Sequence, residues 1–304
     1  MVTDASSESL LEEGGRFGDI TSIPHSPSAD TAGVAPLRSM NVTSRSSTRA
    51  VRPTGFTLME ILVSISIVMV LAGITLQVMK NGREKAHLVR ATQKIKDLGQ
   101  SFMAYTGENG GLLPRENHSG TGDTWEAAGE PEAREVWYNA LLWGMSRKSV
   151  GDIGEDSEPR LFYEDAYPLY VPGAPYPKSE KKLKNPMFAI GMNSRLQRRE
   201  NETGHKPQGT VASIQAPVNT VIFLERGMPK DKKLVSAQAN FSASPKAGPK
   251  AFAARHNQKG LLLFADGHVE VKSPTDIITG SGKVKTLEEG SSVVWTRDPD
   301  DDPN

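Results

Sequence analysis

One acidic side chain lies inside an otherwise uncharged apolar segment, where an ionisable group is unexpected. Glu60 is the single charged residue of the 24-residue run Phe56–Met79. A charge near the start of a membrane helix costs a few kcal/mol unless it is paired, so its presence indicates a function. The alternative is a carboxylate that is solvated at the membrane boundary.

A second group of titratable residues lies near the C-terminus. His256 is followed, after nine residues, by Asp266-Gly267 and then by His268. Imidazole and carboxylate groups bind zinc and similar ions, so His256, Asp266 and His268 are candidate metal ligands. The favoured interpretation is structural, because Asp-Gly between two apolar runs is typical of a tight hairpin turn.

Composition and motifs argue against an enzyme. The chain contains no cysteine, which removes thiolate metal sites and cysteine nucleophiles, and no GxSxG, HExxH or P-loop pattern occurs. Glu225 and Arg226 follow an apolar run, where a solvated or ion-paired strand end is the simpler interpretation. Lys plus Arg equal Asp plus Glu at 36 each, which gives no support for a nucleic-acid partner. We predict no catalysis and no cofactor.

The residues before Phe56 form a leader, 1–55, with a basic end. Residues 1–54 are rich in Ser, Thr, Ala, Pro and Gly and keep no helical or strand period, which predicts disorder. From Met40 onward the leader carries three arginines and no acid, so Met40 is an alternative start of the chain.

A long helix is predicted directly after this leader. Residues 56–79 are long and apolar enough to cross a bilayer core of about 30 Å. Apolar residues then recur at spacings of three and four through 80–106, which predicts an amphipathic half of the same helix. Glycines from Gly107 onward end it. The basic flank before the span favours a cytoplasmic leader and a C-terminal part outside.

Residues 107–297 are predicted to form a globular domain with short strands. Apolar runs that resemble strands are Phe188–Met192, Val221–Leu224, Gly260–Ala265, His268–Val271 and, less clearly, Val293–Trp295. Val136–Met145 is predicted to be a short helix, and the acidic tail 298–304 is predicted to be disordered. The fold class is therefore α+β, with a long N-terminal helix packed on a small antiparallel sheet.

The segment Gly55-Phe56-Thr57-Leu58-Met59-Glu60 resembles the processing site of type IV prepilins and type II secretion pseudopilins. The resemblance implies a pilin-like fold, a leader cut after Gly55 and a methylated amine on Phe56. It also implies that Glu60, the fifth residue of the mature chain, pairs with the amine of a neighbouring Phe56 and so sets the register between subunits. Gly55 would let a peptidase approach the backbone closely, and a plain linker glycine is the alternative.

The same resemblance implies a location and partners. The chain would lie in the inner membrane with one span, place its C-terminal domain in the periplasm, and enter a filament after processing. The implied partners are a prepilin peptidase, other pilin-like subunits of the same or different sequence, an assembly platform and a cytoplasmic ATPase.

The stretch from Arg255 to Val269 is similar to the H-X9-DG region of prepilin-like proteins from Planctomycetes, Verrucomicrobia and related bacteria. Gly191-Met192-Asn193-Ser194 is similar to a second segment of those proteins. Residues from about 110 to 185 match no pattern of the family.

Two other functions stay open at this point. The unmatched region contains Trp125, Trp137 and Trp143, and exposed aromatic rings can stack on sugars, so a membrane-anchored extracytoplasmic binding module is one alternative. An anchored protein that never enters a filament is the other. Cleavage after Gly55 and copurification with a filament distinguish the three.

Overall fold

The computed structural model describes residues 55–117, 124–177, 185–197, 208–229, 231 and 243–304. The predicted leader, with the alternative start at Met40, lies outside these residues apart from Gly55. The helices and strands of the described residues all lie within Thr57–Asn304.

Helix α1 spans Leu58–Glu108 and contains 51 residues. It has no proline, and each boundary differs from the predicted 56–106 by two residues because capping contacts fix where the helix starts and stops. At the C-terminal end the Asn109 N–H donates to the Tyr105 carbonyl at 3.0 Å. Gly110 and Gly111 then take φ values of 63° and 82°, which a glycine adopts without strain.

Four shorter helices follow among the described residues. They are α2 (Trp125–Gly129), α3 (Trp137–Gly144), α4 (Val150–Glu155) and α5 (Pro274–Ile277). Single 3₁₀ turns occur at Pro131–Glu135, Leu161–Tyr163, Val211–Ser213 and Pro249–Ala251. The predicted helix at 136–145 corresponds to α3, whose Trp137, Leu141 and Leu142 are buried.

The described part of the chain contains five strands, which form one sheet in the order β3-β1-β2-β4-β5. They are β1 (Ile190–Asn193), β2 (Val221–Glu225), β3 (Lys246–Ala247), β4 (Gly260–Phe264) and β5 (Val269–Lys272). The pairs β1–β2, β2–β4 and β4–β5 are antiparallel, whereas the two-residue β3 pairs parallel with β1. The α+β class is therefore confirmed, with a mixed sheet in place of a purely antiparallel one.

Two predicted segments take a different form in the structure. Val293–Trp295 is not a strand, because Val294 makes one isolated parallel bridge with Thr220. Residues 298–304 follow turns against the domain in place of the predicted disorder, and the Asn304 side-chain oxygen accepts the Val284 N–H at 2.9 Å.

The C-terminal half of α1 covers one face of the sheet. Ala91, Ile95, Leu98 and Phe102 are buried at spacings of three and four, as an amphipathic helix requires. Leu261 and Leu263 of β4 share this core, while the alternating Leu262 and Phe264 pack in a second core on the opposite face. A Cβ atom on Gly99 would lie 2.8 Å from Leu263 Cδ1, so the glycine allows close contact between α1 and β4.

Candidate processing and assembly site

The N-terminus of α1 is closed by a reciprocal pair of side chains. Thr57 is the N-cap, and its hydroxyl oxygen accepts the Glu60 N–H at 3.2 Å. The Glu60 carboxylate in turn accepts the Thr57 N–H at 2.9 Å and the Thr57 hydroxyl at 3.0 Å. This capping box satisfies backbone donors that would otherwise lack a partner at the helix start. Glu60 thus has a partner within its own chain.

The two residues at the predicted cut are open to an approaching molecule. Phe56 is 82% exposed, and a Cβ atom on Gly55 would meet nothing within 4 Å. The described structure therefore does not need glycine at position 55 for space. If position 55 requires glycine, the requirement comes from a molecule outside the folded chain.

The first half of α1 presents apolar side chains on every side. The large apolar residues between Leu58 and Met79 are exposed, and this helix contains a window apolar enough to cross a membrane, none of which is buried. A core helix of a soluble protein would be covered by its own domain. The composition and exposure of this segment therefore suggest a single-pass membrane anchor.

The few hydroxyl groups in this segment are satisfied within the helix. Ser64, Ser66 and Thr75 donate to the carbonyls of Glu60, Leu62 and Leu71 at 2.7, 2.8 and 2.8 Å. Internal bonds of this kind are what a helix in lipid needs, because hydrocarbon offers no hydrogen-bond partner.

A comparison with known protein families finds a motif at the start of α1. Residues 52–76 match the model of the prokaryotic N-terminal methylation motif. The chain fits a prepilin-type pilin or pseudopilin. No curated protein and no solved structure matches the chain. The motif indicates a structural, pilin-type subunit.

His256 is buried in a polar pair. Its Nε2 lies 2.8 Å from Glu225 Oε1, and both side chains are almost fully buried, at 3% and 0% exposed. The second Glu225 oxygen accepts the Leu261 N–H at 3.0 Å. Glu225 therefore joins the end of β2 to the turn before β4 and to β4 itself.

Asp266 and His268 lie at the other end of β4. Gly267 has φ 90°, the conformation expected of the glycine in the predicted β4–β5 hairpin. Asp266 Oδ1 lies 2.6 Å from His268 Nδ1, and the His268 ring stacks on Phe264 with centroids 4.4 Å apart. The hairpin interpretation of the motif accounts for both residues.

The three candidate metal ligands do not converge. His256 precedes β4, whereas Asp266 and His268 follow it, and five residues of strand span about 16 Å. Across the described residues, no three His, Cys, Asp or Glu side chains form a group that could hold a metal ion. The metal interpretation of His256, Asp266 and His268 is therefore not supported by their placement.

Arg255 and Arg226 lie next to His256 and Glu225 in sequence, and their contacts were not predicted. Arg255 Nη2 lies 2.6 Å from Asp231 Oδ2, with the side chains 4% and 9% exposed. The Arg226 guanidinium donates to the carbonyls of Ser244 and Lys246. The sequence suggested an ion-paired end for β2 at Glu225, but no local pattern joins Arg255 to an acid 24 residues away.

Proposed function

We propose that this chain is a filament subunit, a pseudopilin, of a type II secretion or type IV pilus-like system. A prepilin peptidase would cut it after Gly55 and methylate the new amine of Phe56. The subunit would lie in the inner membrane with its C-terminal domain in the periplasm, and an assembly platform would move it into a filament of pilin-like subunits.

The strongest support for the proposal is that the methylation motif and the exposed apolar half of α1 lie on the same stretch of chain. The methylation motif at 52–76 overlaps a helix whose first half is exposed and apolar and whose second half is packed on a domain. A free-standing apolar half buries its surface either in lipid or against the same half of other subunits. Both environments are needed by a protein that moves from a membrane into a filament.

The tryptophans that motivated a binding module give it little support. Trp137 is fully buried and packs on Phe188 and Phe223 with centroids 5.6 and 5.0 Å apart. Trp125 packs edge-on against Phe162 at 5.6 Å. Only Trp143 of the three exposes a large fraction, 43%. Two of the three rings therefore serve the core.

A substitution at the cut site tests the proposal. Gly55→Leu meets no steric conflict in the described structure, so the domain should fold while the peptidase loses access to the bond. We expect an uncleaved chain that stays in the membrane and is absent from sheared filaments of the native host. Gly107→Leu, at another open position, is the matched control and should be cleaved and assembled. Equal assembly of both variants would contradict the proposal.

A further inference from the structure

Three basic residues surround α1 just beyond its apolar half. Lys80, Arg83 and Lys85 are exposed, and the sole acid between positions 80 and 90 is Glu84. With about 100° of rotation per residue, Arg83 and Lys85 lie about 300° and 140° around the helix from Lys80. The three side chains therefore leave the helix in three directions, and they are called the basic collar below.

The basic collar has no acidic partner in the part of the chain that the structure describes. Other basic residues do find acids: Arg90 and Lys94 pair with Asp165, Arg115 with Glu135, Lys148 with Asp156 and Glu158, Arg255 with Asp231, and Lys272 with Glu270. The three collar side chains, in contrast, form no ion pair with a described residue.

The height of the basic collar along α1 matches the surface of a bilayer. Leu58–Met79 is 22 residues long, which gives about 33 Å of helix, close to the hydrocarbon core of about 30 Å. Lys80 follows directly, so the collar begins where the apolar half ends.

The collar also ends before the domain begins to cover the helix. The domain first reaches α1 near His87, where a Cβ atom on Gly173 would lie 3.4 Å from the His87 Nδ1 atom. The interval between the apolar half and this contact is Lys80–Ala86, which contains the whole basic collar. Its length is about 10 Å of helix, enough to span a headgroup layer of about 5–8 Å.

We propose that the basic collar binds the headgroups of anionic phospholipids in the leaflet on the domain's side of the membrane. This inference rests on the proposed function, because it needs α1 to cross a bilayer. Phosphate groups surround a membrane helix on all sides, as the three collar side chains do, whereas a protein partner would meet one side. A cut after Gly55 would also remove the leader arginines, so the collar would supply the basic residues nearest to the span.

The collar would set the depth of α1 in the membrane. A basic residue near an anionic surface contributes about 1 kcal/mol, which corresponds to roughly fivefold in binding. Three such residues would hold the helix at a fixed height before a subunit is withdrawn into a filament. Neutral glutamine side chains at the same positions would keep the helix and lose this attraction.

The test uses the full chain recovered from membranes and placed in nanodiscs of equal parts phosphatidylcholine and phosphatidylglycerol. Native mass spectrometry then counts the lipids of each type that leave with the protein. We expect the unmodified chain to retain phosphatidylglycerol over phosphatidylcholine by roughly fivefold or more. The variant K80Q/R83Q/K85Q should retain the two lipids about equally.

The matched control is K96Q/R147Q/K283Q, which removes two lysines and one arginine that are also exposed. It should keep the lipid preference of the unmodified chain.

An unchanged lipid preference in the collar variant would overturn the inference. So would a collar variant that keeps its lipids but no longer copurifies with other pilin-like subunits, since the collar would then be a protein contact. Failure of the chain to enter nanodiscs would instead remove the membrane span, and with it the proposed function.

Discussion

Glu60 has one partner in the single chain and would have a second in the proposed filament. In the single chain its carboxylate accepts the Thr57 N–H and hydroxyl, so the helix start is closed without a second subunit. The proposed filament contact offers a positively charged amine from a neighbouring Phe56. That amine would have to share or replace the capping contacts. Before such a contact forms, the Thr57 cap would keep the carboxylate hydrogen-bonded.

Glu60→Gln separates these two roles. Glutamine also serves at this position of a capping box, so insertion and cleavage should persist. The filament contact loses its charge, and hydrogen bonds to charged groups contribute about 1.5–3 kcal/mol, so assembly should fall at least about tenfold. Quantifying the subunit in sheared filaments and in membranes measures this. Glu84→Gln, on the same helix, should assemble normally, and equal assembly of both variants would argue against a register role for Glu60.

His256 is expected to matter for stability. His256→Ala would leave the fully buried Glu225 without one of its two partners, and breaking a buried pair costs about 3–5 kcal/mol. His268→Ala removes a partly exposed pair with Asp266 and should cost about 1 kcal/mol. Urea unfolding of the full chain in detergent, followed by tryptophan fluorescence, compares them. If His256→Ala lost as little stability as is expected for His268→Ala, the buried pair with Glu225 would not contribute as described.

At the scale of single residues, the sequence predicts sites that local context defines. Glu60 stands out because it is the one charge in an apolar run, and Gly267 because it follows an aspartate between two apolar runs. The partner of His256 could not be predicted in the same way. Glu225 is 31 residues away, and only the pairing of β2 with β4 brings the two together.

Strand β4 begins where two segments of backbone approach closely. A Cβ atom on Gly260 would lie 2.1 Å from the Ala253 carbonyl oxygen and 2.7 Å from Phe252 Cζ. Gly260→Ala should therefore destabilise the fold by about 3 kcal/mol or more, because backbone must move. Gly280→Ala meets nothing within 4 Å and should change stability by less than about 0.5 kcal/mol. Thermal unfolding of the two variants provides the comparison, and equal melting temperatures would contradict the packing described for β4.

Helix α1 meets the domain at His87. Burial there lowers the pKa of the His87 imidazole from its usual 6.5, and the charges of Arg90 and His256 lower it further. The unfolded chain then binds more protons than the folded chain at pH values just below 6.5. Stability should therefore fall as the pH drops below 6.5 and be restored above it. His87→Gln should flatten this part of a stability curve measured by urea unfolding between neutral and mildly acidic pH. A curve of unchanged slope would contradict this role.

At the scale of elements, periodicity decides what the sequence can predict. The long helix was predictable because 51 residues of apolar and then amphipathic pattern point to one structure. Strands β2 and β4 were predictable as compact apolar runs. Strand β3 was not, since two residues carry no period and its parallel pairing with β1 depends on the rest of the fold.

The whole molecule combines a domain that covers its own apolar cores with a helix half that leaves its apolar surface uncovered. Within the described residues of the domain, Arg115 and Arg255 pair with acids, and the two cores lie on opposite faces of one sheet. The exposed half of α1 has no such cover. The folded protein therefore needs lipid or another protein to cover this half of α1.

The most direct test of the account is the intact mass and N-terminal sequence of the chain recovered from membranes of its native host. We predict a mature chain that begins at Phe56 and carries one added methyl group on its amine. A chain that retains residues before Phe56 would contradict the central claim, because α1 would then be an uncleaved anchor and the chain would not be a processed filament subunit.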